Sequence, residues 1–422
     1  MFTCASLLRR LPECKFDVFD ASPVPFGLVR YGVAPDHQEL SFFTMDYVKN
    51  CTNLFDRMFE SNRDRLSLFC NVKVGSDVAI NELTRHYDAI LLAYGAHRPR
   101  RLDIPGARSR NVISGSDFVS WYNGVPNAKA PLLDDPNVVI VGNGNVALDC
   151  ARILSTVKSL RTTDVPSEVL ALLEKSNVTH IQILGRRGPE DVSFTIKELR
   201  EQFKVRDWNT TVEMDDEEVQ QLKEALPTME RRKKRLMSVL LSGVGDPHGE
   251  RQCRFLNFRV PKEIIPGENG RISAVRILNK RTGNEEELPC GLLIYSIGYQ
   301  TMVLEGIPKN DKGMIAMKDS SRVDMPCGSF VYAAGWCAHG PRGVIVDTQQ
   351  EAVVVADRIA KDIMARKDVT GSLRGVQSIL DARRVNYITW DEWKKIDELE
   401  VKQGAMKGKV REKLTKFNSL CN

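Results

Sequence analysis

The stretch Val138-Val139-Ile140-Val141-Gly142-Asn143-Gly144-Asn145-Val146-Ala147-Leu148-Asp149 constrains this chain more than any other. A four-residue apolar strand runs into Gly142, Gly144 and Ala147 at the spacing G-x-G-x-x-A, and an uninterrupted helical pattern follows from Asn145 to Leu154. Strand, glycine turn and helix in that order form the dinucleotide fingerprint. Gly142 allows the tight turn, Gly144 lets the backbone approach a pyrophosphate, and Ala147 lets the helix pack close to the strand, with the phosphates at the helix N-terminus. A glycine turn without a ligand is the alternative, and the flanking elements weigh against it. The fingerprint is solitary. The 141 residues before Gly142 read as another nucleotide-binding half that lacks a glycine loop of its own.

A chain of 422 residues is long enough for two or three domains, each with a substantial core. Charged residues at 27% and hydrophobic ones at 42% place it among globular proteins, and no apolar run reaches the roughly 18 residues of a membrane span. The net charge of +5 is mild, so only its local distribution informs. Cysteines fall at 4, 14, 51, 70, 150, 253, 290, 327, 337 and 421, with no C-x-x-C pair. That spacing argues against a zinc site, an iron–sulfur cluster or a secreted disulfide framework, and reads as reduced thiols of an intracellular protein. The first ten residues lack acids and are open to two readings, a short transit peptide or a helix of the first domain. The strand pattern Phe16–Asp20 just after them favours the helix.

Along the chain, residues 5–11 read as helix and Lys15 to Asp20 as a strand ending in an acid, the position that accepts ribose hydroxyls in a nucleotide-binding unit. Residues 23–37 carry three prolines and two glycines among apolar residues, too irregular for a helix or a central strand. Further strands are expected at Cys70–Val74, Ala89–Ala96, His180–Arg187, Gly291–Gly298 and Ser329–Trp336. Helices are expected through Phe59, at about 165–175 and over Val346–Ala365, with an amphipathic Trp390–Glu400 segment packing back on the body. Arg186 and Arg187 sit where an NAD-specific fold places an acid. Two planar, permanently charged guanidinium groups there match the 2′-phosphate of NADP. The separation from Gly142 exceeds the usual ~20 residues, which the extra helix near 165–175 explains.

With these segments in order, the chain resembles the NADPH:adrenodoxin (ferredoxin) oxidoreductases, flavoproteins of the mitochondrial matrix. The pieces that carry the resemblance are residues 25–37, 144–149, 185–189 and 194–200, and Gly335-Trp336 followed by Gly340-Pro341 and Gly343-Val344-Ile345. The resemblance implies an α/β fold of two doubly wound nucleotide-binding domains of the glutathione-reductase type. The FAD domain would be discontinuous, residues 1–105 and 329–422, with the NADP domain inserted as 106–328. It implies FAD contacts from Asp20, where the family more usually has Glu, and from Leu28, Val74, Trp336, Gly343, Val344 and Ile345. NADP would be held by Gly142, Asn143, Gly144, Asn145 and Val146 at the pyrophosphate, by Arg186 and Arg187 at the 2′-phosphate, and by Glu198. By itself a Glu beside Lys197 and Arg200 on a helix is most often a solvated salt-bridge partner, and only the motif around it raises the functional reading.

The chemistry of such a protein belongs to its cofactors, so no nucleophile or metal is required. His37 and Asp149 are the candidate proton handlers. The absence of a close cysteine pair points to delivery of electrons to an external carrier, which the resemblance implies to be a [2Fe-2S] ferredoxin of the adrenodoxin type serving cytochrome P450 or iron–sulfur assembly. The run Arg231, Arg232, Lys233, Lys234 and Arg235 is its expected docking patch, since an acidic partner would be steered there. A solvated helix face is the plain alternative. Nucleic acid is not expected, because no aromatic residues interleave with the basic run. Peripheral association with the mitochondrial inner membrane is a further expectation. The family's first strand and its G-x-G-x-x-G loop are not found in this sequence, so weak or absent FAD binding is expected of the chain as written. A non-catalytic NADP-binding remnant is the competing reading.

Overall fold

The computed structural model describes residues 1–38, 47–341, 345–366 and 375–417. The terminal half opens with α1 (Phe2–Arg10), β1 (Phe16–Asp20), α2 (Gly27–Tyr31), α3 (Tyr47–Glu60), β2 (Leu66–Cys70), α4 (Ile80–His86), β3 (Ala89–Leu92) and β4 (Arg98–Pro99). The inserted half follows as β5 (Val112–Ser114), α5 (Gly115–Tyr122), β6 (Asn137–Val141), α6 (Asn145–Ser155), α7 (Val157–Leu160), α8 (Ser167–Glu174), β7 (His180–Leu184), α9 (Ile196–Phe203) and β8 (Asn209–Glu213). It continues through α10 (Asp216–Ala225), α11 (Arg231–Leu241), β9 (Gln252–Leu256), β10 (Arg259–Pro266), β11 (Ile272–Asn279), β12 (Glu285–Pro289) and β13 (Leu292–Tyr295). The chain returns through β14 (Tyr299–Gln300), which pairs antiparallel with β4, to β15 (Phe330–Ala333), α12 (Trp336–His339), α13 (Ile345–Met364), α14 (Gln377–Ala382) and α15 (Trp390–Met406).

The inserted half is built on a six-stranded parallel sheet, ordered β5-β13-β6-β7-β9-β8. Its central strand explains why Val138 to Val141 is apolar without alternation. Val138 and Ile140 face a core shared with α5, α6 and α8, whereas Val139 and Val141 face a second core. That second core is closed by the antiparallel layer β10-β11-β12 through Ile264, Val275 and Ile277. A parallel strand covered on both faces needs apolar side chains at every position.

In the terminal half, parallel pairing is divided. β1 pairs with β2, β3 pairs with β15, and among the described residues no strand joins β1 to β3. Side chains cross the break instead. The Tyr87 hydroxyl donates to Asp17 Oδ2 at 2.5 Å, and Phe19 meets Tyr87 edge-on at 6.2 Å. α1 packs on α13, and Leu7, Leu11, Val355 and Ile359 form one core with Tyr332 on β15. Ile307, Ile315 and Val323 share a core with Phe69, Leu92 and Val331, so this stretch, grouped by sequence with the inserted half, packs on the terminal one.

Two local expectations are corrected. The strand read at Cys70–Val74 lies earlier, over Leu66–Cys70, because Asn71 takes a positive φ of 60° and turns the chain. The irregular segment 23–37 contains a helical turn, α2, entered by Phe26 at φ 78°. A bulky residue in that region is strained, and aromatic packing holds it, with Phe26 at 6.2 Å from Phe55 and 5.9 Å from Trp393.

As expected, the C-terminal helix packs back: Trp390, Trp393 and Ile396 are buried beside Phe55 and Phe59. The chain beyond it stitches the halves together. Lys413, its side chain fully buried, pairs with Asp164 of the inserted half at 3.0 Å and donates to the Arg30 carbonyl of the terminal half at 3.0 Å. The Arg30 guanidinium in turn pairs with buried Glu400 at 2.5 Å.

Candidate nucleotide sites

The fingerprint loop has the geometry its sequence requires. Gly142 has φ 114°, and a Cβ there would stand 2.2 Å from the Ser296 carbonyl oxygen, so only glycine fits between β6 and the exit of β13. Gly144 caps α6, and nothing lies within 4 Å of where its Cβ would be. The space beside Gly144 at the start of α6 is therefore open, and a helix N-terminus left uncovered is the arrangement that accepts a phosphate. Ala147 is fully buried against the sheet. The loop is also tied sideways: the Ser193 N–H donates to the Asn143 carbonyl at 3.1 Å, and the Thr195 N–H donates to Asn145 Oδ1 at 2.8 Å. Val146 is half-buried beside Gly115.

Those ties fix the segment between β7 and α9. Arg186 and Arg187 leave the strand exposed; Arg187 stands 3.7 Å from the Asp191 carboxylate and donates through Nη2 to the Asp191 carbonyl at 3.4 Å. Thr195 caps α9, with its Oγ1 accepting the Glu198 N–H at 3.4 Å. Glu198 is not a solvated helix charge. It is 9% exposed, and its Oε2 accepts from Arg152 Nη1 at 3.0 Å. Asp149, one turn earlier on α6, is held by the same guanidinium at 2.5 Å. Sequence reasoning missed Arg152. The available signal was its position three residues after Asp149, on the face of α6 that the fingerprint turns inward.

In the terminal half the expected contact residues gather at the C-terminal ends of parallel strands, where ligands bind in open α/β sheets. Asp20 ends β1, and its Oδ1 accepts the Ser22 N–H at 2.8 Å. Burial pushes the Asp20 carboxyl above the usual range, against the lowering effect of Ser22. Val74 lies half-buried just past β2, and Leu28 projects from α2 at 56% exposure. Trp336 leaves β15 through Gly335, whose φ of 69° and ψ of −151° exclude a side chain; the Trp336 ring centre is 6.2 Å from that of Tyr299. A small cleft beside it is lined by Gly335, Trp336, His339, Asp347, Thr348 and Glu351. Gly343 and Val344 lie outside the described residues, Ile345 is described only as the first residue of α13, and the His37 side chain is not described. The basic run forms the first turns of α11: Arg231, Arg232, Lys234 and Arg235 are exposed, and Lys233 pairs with Glu190 at 3.1 Å.

Residues 24–245 match the pyridine nucleotide-disulphide oxidoreductase family. The mitochondrial NADPH:adrenodoxin oxidoreductase of Drosophila melanogaster is 38% identical over 432 residues, spanning 98% of this chain and 89% of its own length. That of Bos taurus is 36% identical over 446 residues, spanning 98% and 87%. Among solved structures, Mycobacterium tuberculosis FprA in complex with NADPH superposes with a TM-score of 0.87 at 30% identity, covering 100% of this chain and 96% of that one. A thioredoxin reductase from T. acidophilum, TM-score 0.50 at 14% identity, shares the fold alone. The chain belongs to the NADPH:adrenodoxin oxidoreductase family.

Proposed function

We infer that this chain is a flavoprotein reductase that passes electrons from NADPH through FAD to a [2Fe-2S] ferredoxin of the adrenodoxin type. The observation that carries the reading is the joining of an open fingerprint loop and two exposed arginines in one half to a row of strand ends in the other. The residues present fit both groups. Gly144 leaves the start of α6 uncovered, and Gly335, which tolerates no side chain, leaves bare backbone with nothing within 4 Å of its absent Cβ at the end of β15. When bound, the flavin accepts two electrons together from the nicotinamide and releases them singly.

The chain's own contribution is to bind and orient. Gly142, Asn143, Gly144, Asn145 and Val146 would cradle the pyrophosphate of NADP, Arg186 and Arg187 would select its 2′-phosphate, and Glu198 would accept from its hydroxyl groups. Asp20, Leu28, Val74, Trp336 and the segment Gly343, Val344 and Ile345 would hold FAD. Curated relatives match 98% of the chain, strands of both halves included, which favours the reductase over an NADP-binding remnant. These relatives are named mitochondrial; our reading places the chain in the matrix, in peripheral contact with the inner membrane.

Docking of the ferredoxin is assigned to Arg231, Arg232, Lys233, Lys234 and Arg235, a positive face for an acidic partner whose association weakens as salt rises. A stoichiometric flavin absorption band in the purified protein, together with NADPH oxidation, would set aside both the expectation of weak FAD binding and the remnant reading, and a colourless protein that NADPH does not reduce would refute the function. Arg231→Glu with Arg235→Glu should slow ferredoxin reduction and spare NADPH oxidation by a small neutral acceptor. Equal loss in both assays would remove the docking role.

A further inference from the structure

Arg152 gathers carboxylates from parts of the chain that are distant in sequence. It lies on α6 beyond the fingerprint loop, with a side chain 4% exposed. Its Nε and Nη2 face Asp36 on the turn Pro35–Gln38 of the terminal half. Nη2 also donates to Asp149 Oδ1 at 2.5 Å, while Nη1 donates to Glu198 Oε2 at 3.0 Å and stands 3.7 Å from Glu201. One guanidinium thus serves four carboxylates from both halves. Burial works against its charge, but Asp36, Asp149 and Glu198 outweigh that and raise its pKa above the ordinary value. The planar fork of arginine is what allows several acids to be met at fixed angles; an ammonium group satisfies them only as a point charge.

Resting on the function inferred above, the direction of the nucleotide gives this cluster its meaning. Arg186 and Arg187 mark the adenosine 2′-phosphate end, and the pyrophosphate crosses the fingerprint loop. The nicotinamide end would then lie away from the arginine pair, on the side where Glu198 shares a guanidinium with Asp36 of the terminal half. We propose that Arg152 is a positioning residue that sets Glu198 for the nicotinamide end of NADP and ties it, through Asp36, to the loop of the flavin-binding half. Binding of the nicotinamide end and placement of that loop are then one event, and binding at the adenosine end is independent of it.

The test compares NADP⁺ with 2′,5′-ADP, which carries the adenosine end alone, both titrated into the FAD-loaded protein. Arg152→Gln should weaken NADP⁺ by about tenfold, on the order of one unit of 1.4 kcal/mol, and leave 2′,5′-ADP within about twofold. Arg152→Lys, which keeps the buried charge but not the planar fork, should show the same selectivity to a smaller degree. Combined with Glu198→Gln, Arg152→Gln should add nothing to the worse single variant, because the two act through one contact. Equal weakening of both ligands, unchanged NADP⁺ affinity in both Arg152 variants, or additive losses in the double variant would overturn the positioning role. Failure of the unaltered protein to bind either nucleotide would overturn the inferred function with it. Binding of both, with no discrimination in the Arg152 variants, would overturn this proposal alone.

Discussion

In the inserted half, β6 is flanked by β13 and β7 and sends alternate side chains into two separate cores. Among the described residues of the terminal half, β1 and β3 each have a single strand partner, and Tyr87 crosses between them by side chain rather than by ladder. The same class of fold is therefore held in one place by a continuous sheet and in the other by packing of α1, α13 and α15 around two ribbons. The difference teaches where each half stores its stability. Backbone pairing supports the fingerprint loop of the inserted half, whereas the terminal half depends on helices and on buried ion pairs such as Arg30–Glu400. Unpaired strand edges are the cost of the second solution.

The largest expected effect comes from the central strand. Ile140→Ala, at a fully buried position, should lower stability by about 3–4 kcal/mol in chemical denaturation, as for other large-to-small core changes. Leu91→Ala, half-buried at the edge of β3, should cost about half as much, and an equal loss would erase the distinction between the halves. Next in size, Arg186→Ala with Arg187→Ala should weaken NADPH binding by roughly a hundredfold, the loss of charge-assisted bonds worth about 2–3 kcal/mol. NADH binding should be nearly unaffected, and a matching loss for NADH would remove the 2′-phosphate role. In native-state hydrogen exchange, the amides of Asp17, Phe19 and Leu91 should exchange at least about tenfold faster than those of Val139 and Ile183. Comparable protection would mean that the divided ladder is as closed as the continuous one.

The smallest effect concerns acid. The Arg383 side chain and then the Ala79 N–H lower the Glu82 carboxyl from 4.5 to about 2, an exposed contact that joins α4 to the end of α14. A lowered folded pKa means that this contribution is complete above pH 4.5 and disappears as pH falls through about 2. Arg383→Met should flatten the acid limb of the stability profile in that window alone. A limb unchanged by the substitution would show that the pair contributes nothing to the terminal half.

The inserted half was the more legible in sequence. Its signals are local: four apolar residues, a glycine spacing and a helix are contiguous, so β6 and α6 emerged with bounds close to those observed. The β10-β11-β12 layer was not read. Its strands alternate buried and exposed positions, and cross-strand pairs such as Arg276 with Glu263 and Glu287 give them the composition of a charged linker. In the candidate site, Arg186 and Arg187 were visible because their meaning depends on following a strand. The burial of Glu198 was not, since Arg152 and Asp36 arrive from other elements. The spacing of Arg152 three residues after Asp149 hints at one acid, but Asp36, Glu198 and Glu201 are too distant in sequence for any local pattern to announce them.

The pairing of β3 with β15 also orders events in time. As the chain leaves the ribosome, β3 emerges early and its partner emerges only after every strand of the inserted half, which already contains all the pairings it needs. The middle of the protein can thus close while both ends of its host are still open. Lys413, which joins Asp164 to Arg30, comes later still. Domains generally fold as units during synthesis, and partners distant in sequence are slow to meet. The nascent chain is therefore expected to carry a finished nucleotide domain on an unfinished one, and to expose the edge of β3 to chaperones for most of its translation.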